Sequence, residues 1–157
     1  IAVQASTTAE FSERYSGKVR INSVVLSKAA SRSNLIAQQT PNTGPMTFTH
    51  TQAADELSGK FRNLFYVPEN GELAEGSRLL LTLGATYDRD GNFSTTDDQA
   101  DVTYPVELSG DGAGRFLRKG YYRVQALIDG LTGSELSVSI SVADWETPVT
   151  QSVNLGQ

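Results

Sequence analysis

Apolar and polar residues alternate strictly in the last part of the chain. Across residues 135–143, four apolar side chains point one way and three serines point the other. A period of two over this length predicts a β-strand with one buried face and one solvent-facing face. Residues 121–128 repeat the pattern and predict a second strand.

The segment between these two strands has the residues of a tight turn. It runs from Asp129 to Ser134 and contains Gly130 and Gly133. Glycine adopts positive φ at little cost, and tight hairpin turns often require positive φ. We therefore predict a β-hairpin over residues 121–143.

Further strand patterns are distributed over the rest of the chain. They fall at residues 1–5, 18–26, 46–50, 61–67, 78–87 and 102–108. Pro105 has no N–H, so its strand is predicted to lie at a sheet edge or to carry a local break. Residues 28–40 predict a loop, and residues 52–58 predict a short helix. Seven to nine short strands separated by turn residues predict an all-β sandwich, with residues 1–157 as a single domain.

The C-terminal segment, residues 148–157, has the pattern of a last strand that begins at a proline. Val149, Gln151, Val153 and Leu155 fall on one face of it. Such a strand can complete its own sheet. It can also lie in the groove of a neighbouring molecule, where backbone hydrogen bonds give affinity and alternate side chains give register. The sequence leaves both arrangements open.

Charge and composition exclude several classes of partner. The formal net charge is −5 and the isoelectric point is near 4.8. Both argue against nucleic acid, which needs a basic footprint, and against an anionic membrane surface. The chain has no cysteine, which excludes disulfides, thiolate metal ligands and cysteine catalysis. Because it begins with Ile1, we expect either a removed leader or a fragment.

Candidate chemistry is sparse. His50 is the only histidine and lies in a predicted strand end, so we expect a surface histidine and no catalytic residues. No cofactor is expected. Asp88, Asp90 and Asn92 resemble the opening of a calcium loop, but Gly91 stands fourth from Asp88, whereas an EF-hand loop has its glycine sixth. We therefore favour a solvated hairpin tip over a calcium site.

Several short sequences occur in an order that is typical of one family. They are Phe65–Asn70, the leucines of residues 79–83, Tyr104–Leu108, Phe116–Val124 and Val142–Glu146. Their ordered combination resembles the C-terminal half of the Bacteroidetes fimbrillins, which are subunits of type V pili. The resemblance covers residues 60–146 approximately.

The resemblance implies a fold and a mode of assembly. Fimbrillins have two transthyretin-like β-sandwich domains, and this chain resembles the second. They are made as lipoproteins, so a lipid anchor is expected on the precursor only, and they reach the outer-membrane surface. Proteolysis removes an N-terminal strand, and the next subunit's C-terminal segment fills the groove by strand exchange. On this basis Val149–Leu155 is the candidate donor strand, and other fimbrial subunits are the expected partners.

An alternative is a cell-surface module that binds a glycan or a host protein, such as a tip adhesin. It would use exposed aromatic side chains, for which Tyr66, Tyr87, Tyr121 and Trp145 are candidates. Tyr66 and Tyr121 are the two we select as ligand-stacking residues. Trp145, the only tryptophan, is instead expected to cap the end of the core. An enzyme is the least favoured interpretation because no catalytic combination of residues is present.

Overall fold

The computed structural model describes residues 1–33, 36, 48–53, 63–143 and 148–153. Within these residues the chain forms nine strands and one short helix. The elements are β1 (Ala2–Thr7), α1 (Ala9–Arg14), β2 (Lys18–Ala29), β3 (Phe48–Ala53), β4 (Asn63–Leu64), β5 (Leu80–Asp88), β6 (Gln99–Glu107), β7 (Tyr121–Ile128), β8 (Leu136–Ala143) and β9 (Pro148–Val153).

The strands form two sheets. One has five strands in the order β4-β1-β7-β8-β9, and the other has four in the order β3-β2-β5-β6. A single cluster of buried apolar side chains from both sheets forms the core. The predicted all-β sandwich is therefore confirmed, and the nine strands of the described residues lie at the upper end of the predicted range.

The predicted hairpin is confirmed as β7 and β8. They pair antiparallel from Tyr121 opposite Ala143 to Ile128 opposite Leu136. The proposed reason for the turn glycines was wrong, because neither Gly130 nor Gly133 has a positive φ. Instead, a Cβ at Gly130 would lie 2.2 Å from the Glu135 carboxyl group, and one at Gly133 would lie 2.7 Å from the Thr103 carbonyl oxygen. Gly133 is therefore needed for a close approach to the backbone of β6, whereas at Gly130 the flexible Glu135 side chain could move aside.

The four-stranded sheet follows its sequence pattern closely. β5 lies between β2 and β6, and its residues Leu81, Leu83 and Ala85 are buried. Among the described strands β6 lies at the edge of its sheet, as predicted, so Pro105 lies where its missing N–H is tolerated. β2 extends to Ala29, and therefore the predicted loop begins later than residue 28.

Two other boundaries differ from the predictions. In the described part of the predicted strand 61–67, which begins at residue 63, only Asn63 and Leu64 are in a strand, although the Phe65 N–H still donates to the Ile1 carbonyl. In the predicted helix 52–58, residues 52 and 53 belong to β3. The remainder of that segment lies outside the described residues, as does Trp145.

The sequence patterns missed α1. Thr8 caps this six-residue helix, since its Oγ1 accepts a hydrogen bond from the Phe11 N–H at 3.2 Å. Phe11 is buried against Tyr15 and Tyr87, with ring centroids 4.8 and 6.2 Å away. The helix thus covers one end of the core, between β1 and β2.

One buried tyrosine connects the two sheets. Tyr104 lies on β6, and its hydroxyl donates a 2.7 Å hydrogen bond to the carbonyl of Gly130 in the β7–β8 turn. Burial of this hydroxyl raises the pKa of Tyr104 to about 12.

We expect Tyr104→Phe to lower the free energy of unfolding by about 1–2 kcal/mol, because the Gly130 carbonyl loses a buried donor. Urea denaturation at neutral pH measures this, with Tyr121→Phe, at a partly exposed position, as the matched control. Since the folded pKa of Tyr104 lies above its ordinary value of 10.0, its contribution is lost as pH rises through about 12. Equal stability of the two variants would contradict the inter-sheet role.

Candidate functional site

A groove of about 800 Å³ opens at one end of the five-stranded sheet. It is lined by Ile1, residues 65–68 and residues 116–122, and we call it the aromatic groove. These segments meet because β1 and β7 run parallel while β4 runs antiparallel to β1. The start of β1, the start of β7 and the end of β4 therefore lie at the same end of the sheet.

Backbone bonds position the first wall of the aromatic groove. The Ile1 amino group donates to the Phe65 carbonyl at 2.8 Å, and the Phe65 N–H donates to the Ile1 carbonyl at 2.7 Å. Phe65 is buried, and the extended chain then turns Tyr66 outward, where the residue is 86% exposed. Because successive side chains of an extended chain point to opposite sides, the Phe65 ring is buried in the wall and the Tyr66 ring is exposed to solvent.

The second wall is a turn between residues 117 and 120. The Gly120 N–H donates to the Leu117 carbonyl at 3.2 Å, and the Tyr122 hydroxyl accepts from the Leu117 N–H at 2.7 Å. Gly120 is required because a Cβ there would lie 2.5 Å from the Tyr122 ring. Lys119 has a φ of 64°, a left-handed conformation that is uncommon for lysine.

Aromatic contacts support this turn from below. The rings of Phe116 and Tyr122 pack with centroids 4.7 Å apart, and both residues are buried. Leu117 and Tyr121, the neighbours of this pair in the chain, are 50% and 38% exposed. The guanidinium carbon of Arg123 lies 5.4 Å from the centroid of the Tyr121 ring. The groove thus has a packed floor and an apolar rim.

An ion pair joins the two walls. Arg118 hydrogen-bonds to Glu69 through two of its nitrogens, the Nε–Oε1 distance being 3.1 Å. The Ser33 hydroxyl donates to the same carboxylate oxygen at 2.7 Å. The hydrogen bond from Arg118, followed by that from Ser33, lowers the pKa of Glu69 below its ordinary value. The described lining carries the cations Arg118 and Lys119 and no carboxylate.

The structure brings the two selected aromatic residues together. Tyr66 and Tyr121 both line the aromatic groove, although they are far apart in the sequence. Tyr87 does not belong with them, because it is buried against Phe11 and Tyr15 and cannot stack on a ligand. Arg118 and Lys119 also line the groove, and they are not among the residues selected from the sequence.

The C-terminal strand β9 pairs with its own sheet. It runs antiparallel to β8, from Pro148 opposite Ala143 to Val153 opposite Val138. Val149 lies opposite Val142, and Gln151 lies opposite Ile140. Of the arrangements that the sequence leaves open, this chain therefore shows the intramolecular one, with β9 as the outermost described strand. Leu155 lies outside the described residues.

The acidic loop after β5 brings together a different set of side chains from the predicted Asp88, Asp90 and Asn92. Carboxylate oxygens of Asp88, Asp90 and Asp98 lie within 4.8 Å of one another. Asn92 instead supplies its N–H, which donates to Asp88 at 2.8 Å and to Asp90 at 2.7 Å. Gln99 donates to the second oxygen of the buried Asp88 at 2.9 Å. These bonds order the loop, and the calcium site stays a prediction.

The pKa of Asp88 is lowered and that of Asp90 is raised in this cluster. Burial acts to raise the pKa of Asp88, but hydrogen bonds from Gln99, Asp90 and Asn92 outweigh it and lower the pKa. The Asn92 N–H acts to lower the pKa of Asp90, but the hydrogen bond with Asp88, the partial desolvation of this carboxyl group and the negative charges of Asp98 and Asp88 outweigh it and raise the pKa. The Asp88 carboxyl group therefore loses its proton more readily than the Asp90 carboxyl group.

His50 is not the fully exposed residue that the sequence suggested. It is half-buried on β3, with its ring edge-on to Phe65 at a centroid distance of 6.5 Å. A packing role against Phe65, in the first wall of the aromatic groove, accounts for this position.

We compared the chain with protein-family models, curated proteins and solved structures, and none of them matches. Within the described residues, no helix has the length and apolar character needed to cross a membrane. The resemblance to fimbrillins therefore rests on the short sequences given above.

We expect Glu69→Gln to lower the free energy of unfolding by about 1 kcal/mol at neutral pH, because the pair with Arg118 is only partly exposed. The folded pKa of Glu69 is lowered, so its contribution is present above the unfolded value near 4.5 and is lost as pH falls through the folded pKa. Urea denaturation at several pH values measures the difference.

The control for this prediction is Glu72→Gln, which removes an exposed carboxylate from the same segment. It should change stability little at any pH. A Glu69→Gln effect that persists unchanged in strong acid would show that the ion pair is not its cause.

Proposed function

We propose that the chain is a structural or accessory subunit of a bacterial surface fimbria. It assembles by β-strand donation, supports adhesion and is not an enzyme. The observation that carries this proposal is the position of β9, a C-terminal strand at the outer edge of its sheet that pairs with β8 alone among the described strands.

An edge strand can leave its sheet without breaking the core. Departure of β9 would expose the backbone N–H and C=O groups of β8, and unpaired edges of this kind are templates for another chain. The β9 strand of a second copy can restore the same ladder, from Val138 to Ala143, with no new sequence required. Exchange of β9 between copies would therefore form the same β8–β9 backbone hydrogen bonds that form within the single chain.

The residue inventory supports a role in attachment over one in catalysis. The chain has one histidine, no cysteine and a modest acidic charge. Strand pairing uses backbone groups, so it requires no reactive side chains. With the resemblance to fimbrillins, this favours a location at the outer-membrane surface, with the lipid anchor on the precursor only.

A second candidate function is a binding module on the same scaffold. It is favoured by the aromatic groove, in which Tyr66 and Tyr121 are partly or largely exposed on a packed floor. Subunits that assemble and also bind a ligand would combine both functions.

We expect deletion of residues 148–157 to leave a folded domain that no longer assembles. Light scattering after size-exclusion chromatography compares the full chain with the deletion variant over a range of concentrations, and circular dichroism reports folding. The full chain should form oligomers that grow with concentration, whereas the variant should stay monomeric.

A synthetic peptide of residues 148–157 provides the matched control. It should bind the deletion variant, because β8 then offers its edge, and a scrambled peptide should not. If the deletion variant is unfolded, β9 is a structural strand of its own domain and the donor role is wrong. Oligomers that survive the deletion would equally contradict the proposal.

A further inference from the structure

We propose that the aromatic groove binds a carbohydrate through an acidic sugar, that is, a pyranose ring that carries a carboxylate. This inference deepens the second candidate function, on which it rests, and does not depend on assembly through β9.

The shape and surface of the groove suit a sugar ring. Its volume of about 800 Å³ is in the range of small-ligand sites. Tyr66 presents almost its whole surface to solvent, and Tyr121 is partly free while Arg123 approaches its ring. Exposed aromatic side chains on a rigid support offer flat apolar faces, and one face of a pyranose consists of C–H groups that such a ring can cover.

The charge of the groove distinguishes an acidic sugar from a neutral one. The chain as a whole is acidic, yet the described lining carries Arg118 and Lys119 and no carboxylate. Arg118 is paired with Glu69 and fixes the wall, so the cation left to meet a ligand carboxylate is Lys119. The lining is therefore complementary to an anion with an apolar face.

The backbone of Lys119 supports this assignment. A φ of 64° costs a non-glycine residue free energy, and positions of this kind cluster where a side chain is held for binding. Glycine or asparagine would fit the turn with less strain. The lysine thus adds a charge to the rim at a conformational cost.

An acidic peptide bound as an added strand fits the groove less well. Recognition of that kind needs a free sheet edge. At the groove, the start of β1 is already bonded to Phe65 and lies between β4 and β7, and β4, the outer strand on that side, is only two residues long. Recognition must therefore come from side chains, and aromatic faces with a lysine are suited to a sugar acid.

The test uses the full chain and matched probes. Sialyllactose and trigalacturonate carry sugar carboxylates, and lactose is the neutral counterpart of the first. Isothermal titration calorimetry should show saturable binding of at least one acidic probe, about tenfold weaker or absent binding of lactose, and weaker binding at high salt.

Three variants locate the site. Tyr66→Ala should weaken binding about tenfold through lost stacking. Lys119→Asn, which suits the left-handed turn and removes the charge, should weaken it about threefold or more and reduce its dependence on salt. Arg20→Gln removes an exposed cation from the other sheet and should leave binding unchanged.

Each of several results would overturn the proposal. They are the absence of binding of both acidic probes, equal binding of lactose, and unchanged affinity in Lys119→Asn. Tighter binding of a poly-glutamate peptide, lost in the same variants, would assign the groove to acidic protein segments instead. Loss of oligomers has no bearing on these results, so failure of the assembly proposal is distinguishable.

Discussion

The parallel pairing of β1 with β7 is the constraint on which the rest of the five-stranded sheet depends. It holds Ala2 opposite Arg123 and Thr7 opposite Ile128, and it places β1 inside the sheet, between β4 and β7. Parallel neighbours cannot be joined by a tight turn, and the chain forms all four strands of the second sheet between β1 and β7. The two walls of the aromatic groove therefore come from segments about fifty residues apart.

The two candidate functions use different parts of the five-stranded sheet, on either side of the β1–β7 pair. The aromatic groove forms where β4 ends and where β1 and β7 begin, whereas β9 lies at the far edge of the described sheet, beyond β8. Exchange of β9 between copies would leave the groove lining in place. A subunit built in this way can assemble through backbone groups at one edge and recognise a ligand through side chains at the other.

Period-two patterns predicted the elements whose faces differ most in burial. β5, β6, β7 and β8 all follow such patterns, since each has one face on the core. The patterns missed α1, which is too short for a helical period and depends on the Thr8 cap and the burial of Phe11. They also extended β4 past Leu64, because apolar residues that line a groove resemble those of a strand. The sequence pattern was enough to select Tyr66 and Tyr121 as separate candidates. It could not predict that they line the same groove, because that depends on how β1 pairs with β4 and β7.

Native-state hydrogen exchange tests the central claim, that β9 is a separable edge strand on a stable β1–β7–β8 unit. Amides of β9 should exchange by local opening at a free energy well below that of global unfolding, whereas amides of β1 and β7 should exchange only by global unfolding. Exchange of β9 at the same free energy as β7 would show that the strand unfolds only with the whole domain, and would contradict its role as a donor.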